Sequence, residues 1–175
     1  MKALILLLPI FCLAIDIEAS FNAKDYKAVC SSEAQNIVAN TSDEGIINMY
    51  GIACLKTHMI NALALPAAKL RYTPQARQNS AYFADILLKK KLLLHALIDN
   101  VDISYVRLAK SDYILSMIFD RYVKGDFNVV NDSLIFEEQN SDTFYEIEIF
   151  AENLPPKIIL KTYKDNQIIS TIEYY

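Results

Sequence analysis

The sequence predicts an α+β domain in which about three N-terminal helices pack on one face of a C-terminal antiparallel β-meander of about four strands. Three observations predict it. Apolar residues recur at helical spacing before residue 100 and mostly alternate after it. Ser42-Asp43-Glu44 and Thr73-Pro74 carry helix-start chemistry. Asn131-Asp132, Leu154-Pro155-Pro156 and Asp165-Asn166 punctuate the alternating half at strand-length intervals. One domain is expected over 21–175, with a helical layer over 21–100 and a mainly β layer over 101–175.

Helix one is expected over Ala23 to Ala39, with Tyr26, Val29, Cys30, Ile37 and Val38 near one face. Helix two starts at the Ser42-Asp43-Glu44 cap, carries Ile46, Met49, Tyr50, Ala53 and Ile60 inward, and ends or kinks at Pro66. Helix three starts at Thr73-Pro74, since Thr caps and Pro is tolerated at the first helical position, and runs to about Ile98. Val101 to Ala109 alternates as a strand would. Asp112 to Lys124 reads as a helix, because Asp112, Ser116, Asp120 and Lys124 recur every four, Ser111 can cap and Gly125 can terminate; Leu115, Met117, Phe119 and Val123 leave a strand as the competing reading.

Two hairpins and a proline turn organise the remainder. Asn131-Asp132 closes Phe127–Val130 on Ser133–Glu138. Thr143 to Glu152 sets Tyr145, Ile147, Ile149 and Ala151 against Phe144, Glu146, Glu148, Phe150 and Glu152, and the two prolines then force a turn. Asp165-Asn166 is expected to pair Tyr163 with Ile168 and Ile159 with Ile172.

Met1 to Ser20 reads as a signal peptide. Lys2 gives the positive start, Ala3 to Ile15 is an apolar run too short to span a bilayer comfortably, and Ile17-Glu18-Ala19 before Ser20 is the expected cleavage site. Removal takes Cys12 away and delivers Cys30 and Cys54 to an oxidising compartment, where an even pair becomes a disulfide. Few glycines, no tryptophan and abundant Ile, Leu, Asn, Lys and Tyr point to an AT-rich bacterial genome, hence to a periplasmic or secreted destination. The segment 21–100 holds nine Lys/Arg against six Asp/Glu, and 101–175 holds seven against thirteen, a split of +3 and −6. So small a basic excess beside an acidic half argues against nucleic acid as a partner.

Chemistry-bearing residues are few. Cys30 and Cys54 on adjacent helices form a staple worth about 3 kcal/mol in the chain-entropy account; without a Cys-x-x-Cys spacing a redox role is the weaker reading. Cys54 and His58 lie four apart with Cys30 nearby, which offers a metal three ligands at most, with His95 the other histidine, so no metal site is expected. Glu146, Glu148 and Glu152 share a strand face, which is more simply a wet face than paired catalytic carboxylates. There is no nucleophile elbow, zinc-helix motif or phosphate-cradling glycine loop, and no catalytic residue or cofactor is expected.

Lys90 is the least explained residue. On a wheel centred on Phe83, Ile86, Leu87, Leu94, Leu97 and Ile98 fall within about 60° on either side, and Lys90 lies near the centre of that arc. Either its stem packs while the ammonium snorkels or pairs, or it lines a cavity between the layers and meets an anionic ligand. Lys89 and Lys91 are expected to be solvated. With Lys69, Arg71 and Arg77 the run could touch an anionic membrane surface, the lesser reading because consecutive helical lysines point three ways.

The leading expectation is an exported, non-enzymatic binding or interaction domain whose partner is a protein or a small anionic or apolar ligand. The alternatives are a small exported hydrolase with an unadvertised site and a structural envelope component.

Overall fold

A computed structural model describes residues 15–175. Met1–Ala14, most of the expected signal peptide, lie outside the described residues. The α+β reading holds, but the counts differ: among the described residues seven α-helices, against about three expected, precede a five-stranded antiparallel sheet, against about four strands expected.

A further short helix precedes the expected first helix, which is itself divided in two by its own polar side chains. α1 (Ile17–Asn22), α2 (Tyr26–Val29) and α3 (Ser32–Asn40) are capped in turn by Asp16, Asp25 and Ser31, each side chain accepting the N–H three residues on. Such local bonds compete with helix continuation. Lys24 adds a left-handed turn (φ 61°) between α1 and α2. Cys30 therefore caps the end of α2 rather than sitting within a long helix.

α4 (Glu44–Lys56) is capped by Asp43 and buries Ile47, Tyr50, Gly51, Ala53 and Cys54. It stops well before Pro66, because His58 turns left-handed (φ 59°). A 3-10 turn, Ile60–Leu63, leads into α5 (Ala64–Lys69). Pro66 lies in the first turn of α5, where a missing N–H removes no helical bond. The Glu44 carboxylate accepts the backbone N–H groups of Arg71, Tyr72 and Thr73 at 2.7 to 3.0 Å. Its partial burial, which raises the pKa, is outweighed by these donors, which hold the carboxyl at about 2. That clasp sets the start of α6 (Pro74–Asp99), where Thr73 Oγ1 accepts from Ala76 and Asn100 closes the helix left-handed. Gly51 lets α4 approach α6 closely: a Cβ there would lie 2.4 Å from the buried Phe83 ring.

No strand forms over Val101 to Ala109. The segment is an extended loop in which Asp102 captures the Ser104 N–H and Ile103 is buried. Its alternation had no neighbouring strand to pair with. The contested segment is helical, as α7 (Ile114–Tyr122). Tyr113, not Ser111, occupies its N-cap, without a side-chain cap bond, and Gly125 follows at φ 69°.

The sheet runs β1 (Asn128–Val130), β2 (Ser133–Glu137), β3 (Thr143–Phe150), β4 (Lys157–Lys164) and β5 (Gln167–Tyr174), each strand beside the next. The turns Asn131-Asp132 and Asp165-Asn166 have positive φ at both residues, as two-residue hairpins require. Tyr163 pairs with Ile168 as expected, but a bulge then shifts the register, so that Ile172 faces Leu160 and Ile159 faces Glu173. Leu134, Phe136, Tyr145, Ile147, Ile158, Leu160, Ile172 and Tyr174 form the buried face, with α6 lying against β3 and β4.

Candidate functional site: a lysine notch at the helix–sheet seam

The site forms where three distant segments meet. The left-handed turn at His58 ends α4 and presents Asn61 on the 3-10 turn; α6 delivers Lys90; the end of β5 delivers Glu173, Tyr174 and Tyr175. Together they line a notch of about 60 Å³. A water needs roughly 10–15 Å³ by this measure, so the notch holds a few waters or one small polar group. It is far short of the ~300 Å³ of a typical metabolite pocket. A shallower groove of about 290 Å³, lined by Leu154, Pro155 and Lys157, shares Glu173 and Tyr175 with it. Met59, 49% exposed, lines the notch and Leu154, 96% exposed, lines the groove, so an apolar lip runs from one to the other.

Lys90 is only 3% exposed. Its Nζ donates to Asn61 Oδ1 at 2.5 Å and to the backbone oxygen of Tyr175, whose ring lies 5.8 Å away. Asn61 Nδ2 donates to the same oxygen at 3.2 Å. Among the described residues no side-chain carboxylate forms an ion pair with Lys90. Burial, with repulsion from Lys91, lowers its pKa to about 8.

Behind the notch, His58 Nδ1 lies 2.8 Å from Tyr113 Oη, which lies 3.5 Å from Tyr174 Oη. Burial lowers the His58 pKa, raises that of Tyr113 to about 12 and raises that of Tyr174 further. The two phenols are therefore neutral at ordinary pH and act as hydrogen-bonding groups rather than bases.

Cys30 and Cys54 are joined as a disulfide with Cα atoms 5.0 Å apart, so neither offers a thiolate to redox chemistry or a metal. Glu148 pairs with Lys161, and Glu146 accepts from Tyr163 Oη at 2.7 Å; both are engaged across the ladder on the outer sheet face. Glu152 lies beyond the end of β3. His95 pairs with Asp99 on the surface, remote in sequence from the notch residues other than Lys90.

The expectation that Lys89 is solvated is corrected: it is fully buried. Its Nζ pairs with Asp85 at 2.9 Å and also donates to Ser116 Oγ and the backbone oxygen of Ala109. All three donors are used. The wheel missed it because α6 is enclosed on several sides, by α5 and α7 and, at Ala109, by the loop that precedes α7, so a position roughly 120° from the stripe is also covered. Of the other basic residues, Lys69 reaches the backbone oxygen of Ala39, Arg77 reaches those of Arg71 and Tyr72, and Arg71 donates to Tyr72 Oη. No helix among the described residues is long and apolar enough to cross a membrane. No family model matches the chain, and comparison with curated proteins and with solved structures yields no match.

Proposed function

We propose that the protein is an exported, non-enzymatic binding domain that receives an acidic group of its ligand on Lys90 and an apolar flank on the adjacent lip. One observation carries the reading: a nearly buried ammonium whose hydrogen-bond partners are two oxygens outside any acidic side chain, beside a notch sized for a single small group. Desolvated cations favour a counter-charge, and an arriving carboxylate supplies one. Leu154, Met59 and Tyr175 offer the apolar contact. The disulfide fits an oxidising destination. The backbone oxygen of Tyr175 is the internal rival for Lys90, and a ligand acid displaces it.

Hexanoate and its neutral counterpart hexanamide test this by NMR titration. Hexanoate is expected to shift the His58 and Asn61 resonances saturably with a millimolar Kd, about −4 kcal/mol. Hexanamide and the Lys90→Met variant are expected to show no such shift. Equal responses to both probes, or an unchanged hexanoate response in Lys90→Met, would overturn the reading.

The enzyme reading has one observation in its favour, an amine with a pKa near 8 lining the same notch as His58. Reductive trapping of a small aldehyde selectively at Lys90 would support it.

A further inference from the structure

We propose that the export peptidase cuts the bond between Ala14 and Ile15, so that the mature chain begins at Ile15 and its new α-ammonium pairs with Glu33. This rests on the export reading above but does not follow from it, since the cleavage site expected from sequence lies five residues later.

Residues 15–19 are integral to the fold. Asp16 Oδ1 accepts the Ala19 N–H at 2.9 Å and caps α1, and the Ser20 N–H bonds the Asp16 carbonyl at 3.0 Å to close its first turn. Ile17 is 3% exposed and belongs to the main core, and α1 packs on α2 and α4. A cut after Ala19 would remove the cap, the first turn and a core side chain together. The surviving chain must therefore retain these residues.

The Ile15 nitrogen meets a carboxylate. Its N–H donates to Glu33 Oε1 at 3.1 Å, from the first turn of α3. Hydrolysis of the Ala14–Ile15 bond adds water across it: the acyl carbon of Ala14 takes the hydroxyl and ionises as a carboxylate, and the released Ile15 amine takes up a proton. One neutral N–H becomes a cationic group with three donors beside an acid, a charge-assisted contact where a neutral one stood. The sequence fits this cut better. Cys12-Leu13-Ala14 places small residues at the third and first positions before the bond, whereas Ile17-Glu18-Ala19 places bulky Ile17 at the third. Ala3 to Phe11 remains as an uninterrupted run of non-polar residues of suitable length.

The test expresses the full precursor in a Gram-negative host, separates exported from cell-retained protein, and reads intact mass and N-terminal sequence in each fraction. Exported protein beginning at Ile15 is the expected result. Exported protein beginning at Ser20, or anywhere else, overturns the cut while leaving export standing; protein retained whole in the cytoplasm overturns both. Ala14→Leu is expected to accumulate uncut precursor, and Ala19→Leu, at an exposed position of α1, to be processed normally. The opposite pattern overturns the proposal. Glu33→Gln is expected to lower the Tm of the processed chain by roughly 1–3 °C and to leave that of the precursor unchanged; equal shifts in both would remove the ion pair from the argument.

Discussion

Lys89 and Lys90 are neighbours on one helix, both nearly inaccessible, and they sit in opposite electrostatic circumstances. Lys89 faces Asp85, Ser116 and the carbonyl of Ala109, so its charge is neutralised and its donors are spent on joining α6 to α7 and to the loop over 100–113. Lys90 faces Asn61 and the Tyr175 backbone oxygen at the rim of a notch. Burial alone does not tell a structural cation from a binding one. The difference lies in whether the fold supplies the counter-ion: Lys89 brings its own from one helical turn away, and among the described residues no acidic side chain pairs with Lys90.

The largest way to break this comparison is Lys89→Met. It leaves the largely buried Asp85 carboxylate without its partner and Ser116 without a donor, and is expected to lower stability by about 3–5 kcal/mol in denaturant unfolding. A loss as small as that of a surface substitution would remove Lys89 from the structural role. Asp85→Asn, which keeps the shape but removes the counter-charge, is expected to cost about 2 kcal/mol. Lys90→Met at pH 7 is expected to change stability by no more than about 1 kcal/mol, because lost hydrogen bonds and a relieved desolvation penalty oppose one another.

The pH dependence sharpens the contrast further. A lysine depressed to about 8 when folded binds fewer protons than the unfolded chain between there and its ordinary value near 10.4. Stability then rises with pH from about 8 toward 10, and the increment over Lys90→Met measures the Lys90 contribution. Above about 10 the raised pKa values of Tyr113 and Tyr174 reverse the trend, since the folded phenols hold protons that the unfolded ones lose. The smallest expected effect is at His58→Asn, which keeps a residue tolerant of left-handed φ. Burial lowers the His58 pKa, so the wild type loses stability as pH falls below about 6.5, and the variant should lose less.

The same contrast marks how far sequence carries. α6 was legible almost to the residue, because Thr73, Pro74 and Asn100 act within their own turns. The hairpins at Asn131-Asp132 and Asp165-Asn166 were legible for the same reason. The left-handed residue of the first break is a lysine rather than a glycine or asparagine, and the loop over 101–109 alternates like a strand while being fastened by a lysine some twenty residues away. Lys90 stood out because a charge interrupted an apolar arc. Its partners did not, since Asn61 and Tyr175 lie 29 and 85 residues from it. Lys89 escaped notice because a one-stripe wheel assumes one buried face, and α6 has more than one.

The slip in the last hairpin leaves Ile169 as the extra residue of β5, 61% exposed on a strand with only one neighbour in the sheet. Without it, Ile168 to Tyr174 would present an even ladder with a single charge, a template on which another molecule could lay its own outermost strand. The kink spoils that repeat and twists the border away from a flat match. Removing Ile169 should therefore first be felt between molecules, as clumping at high concentration, rather than within one.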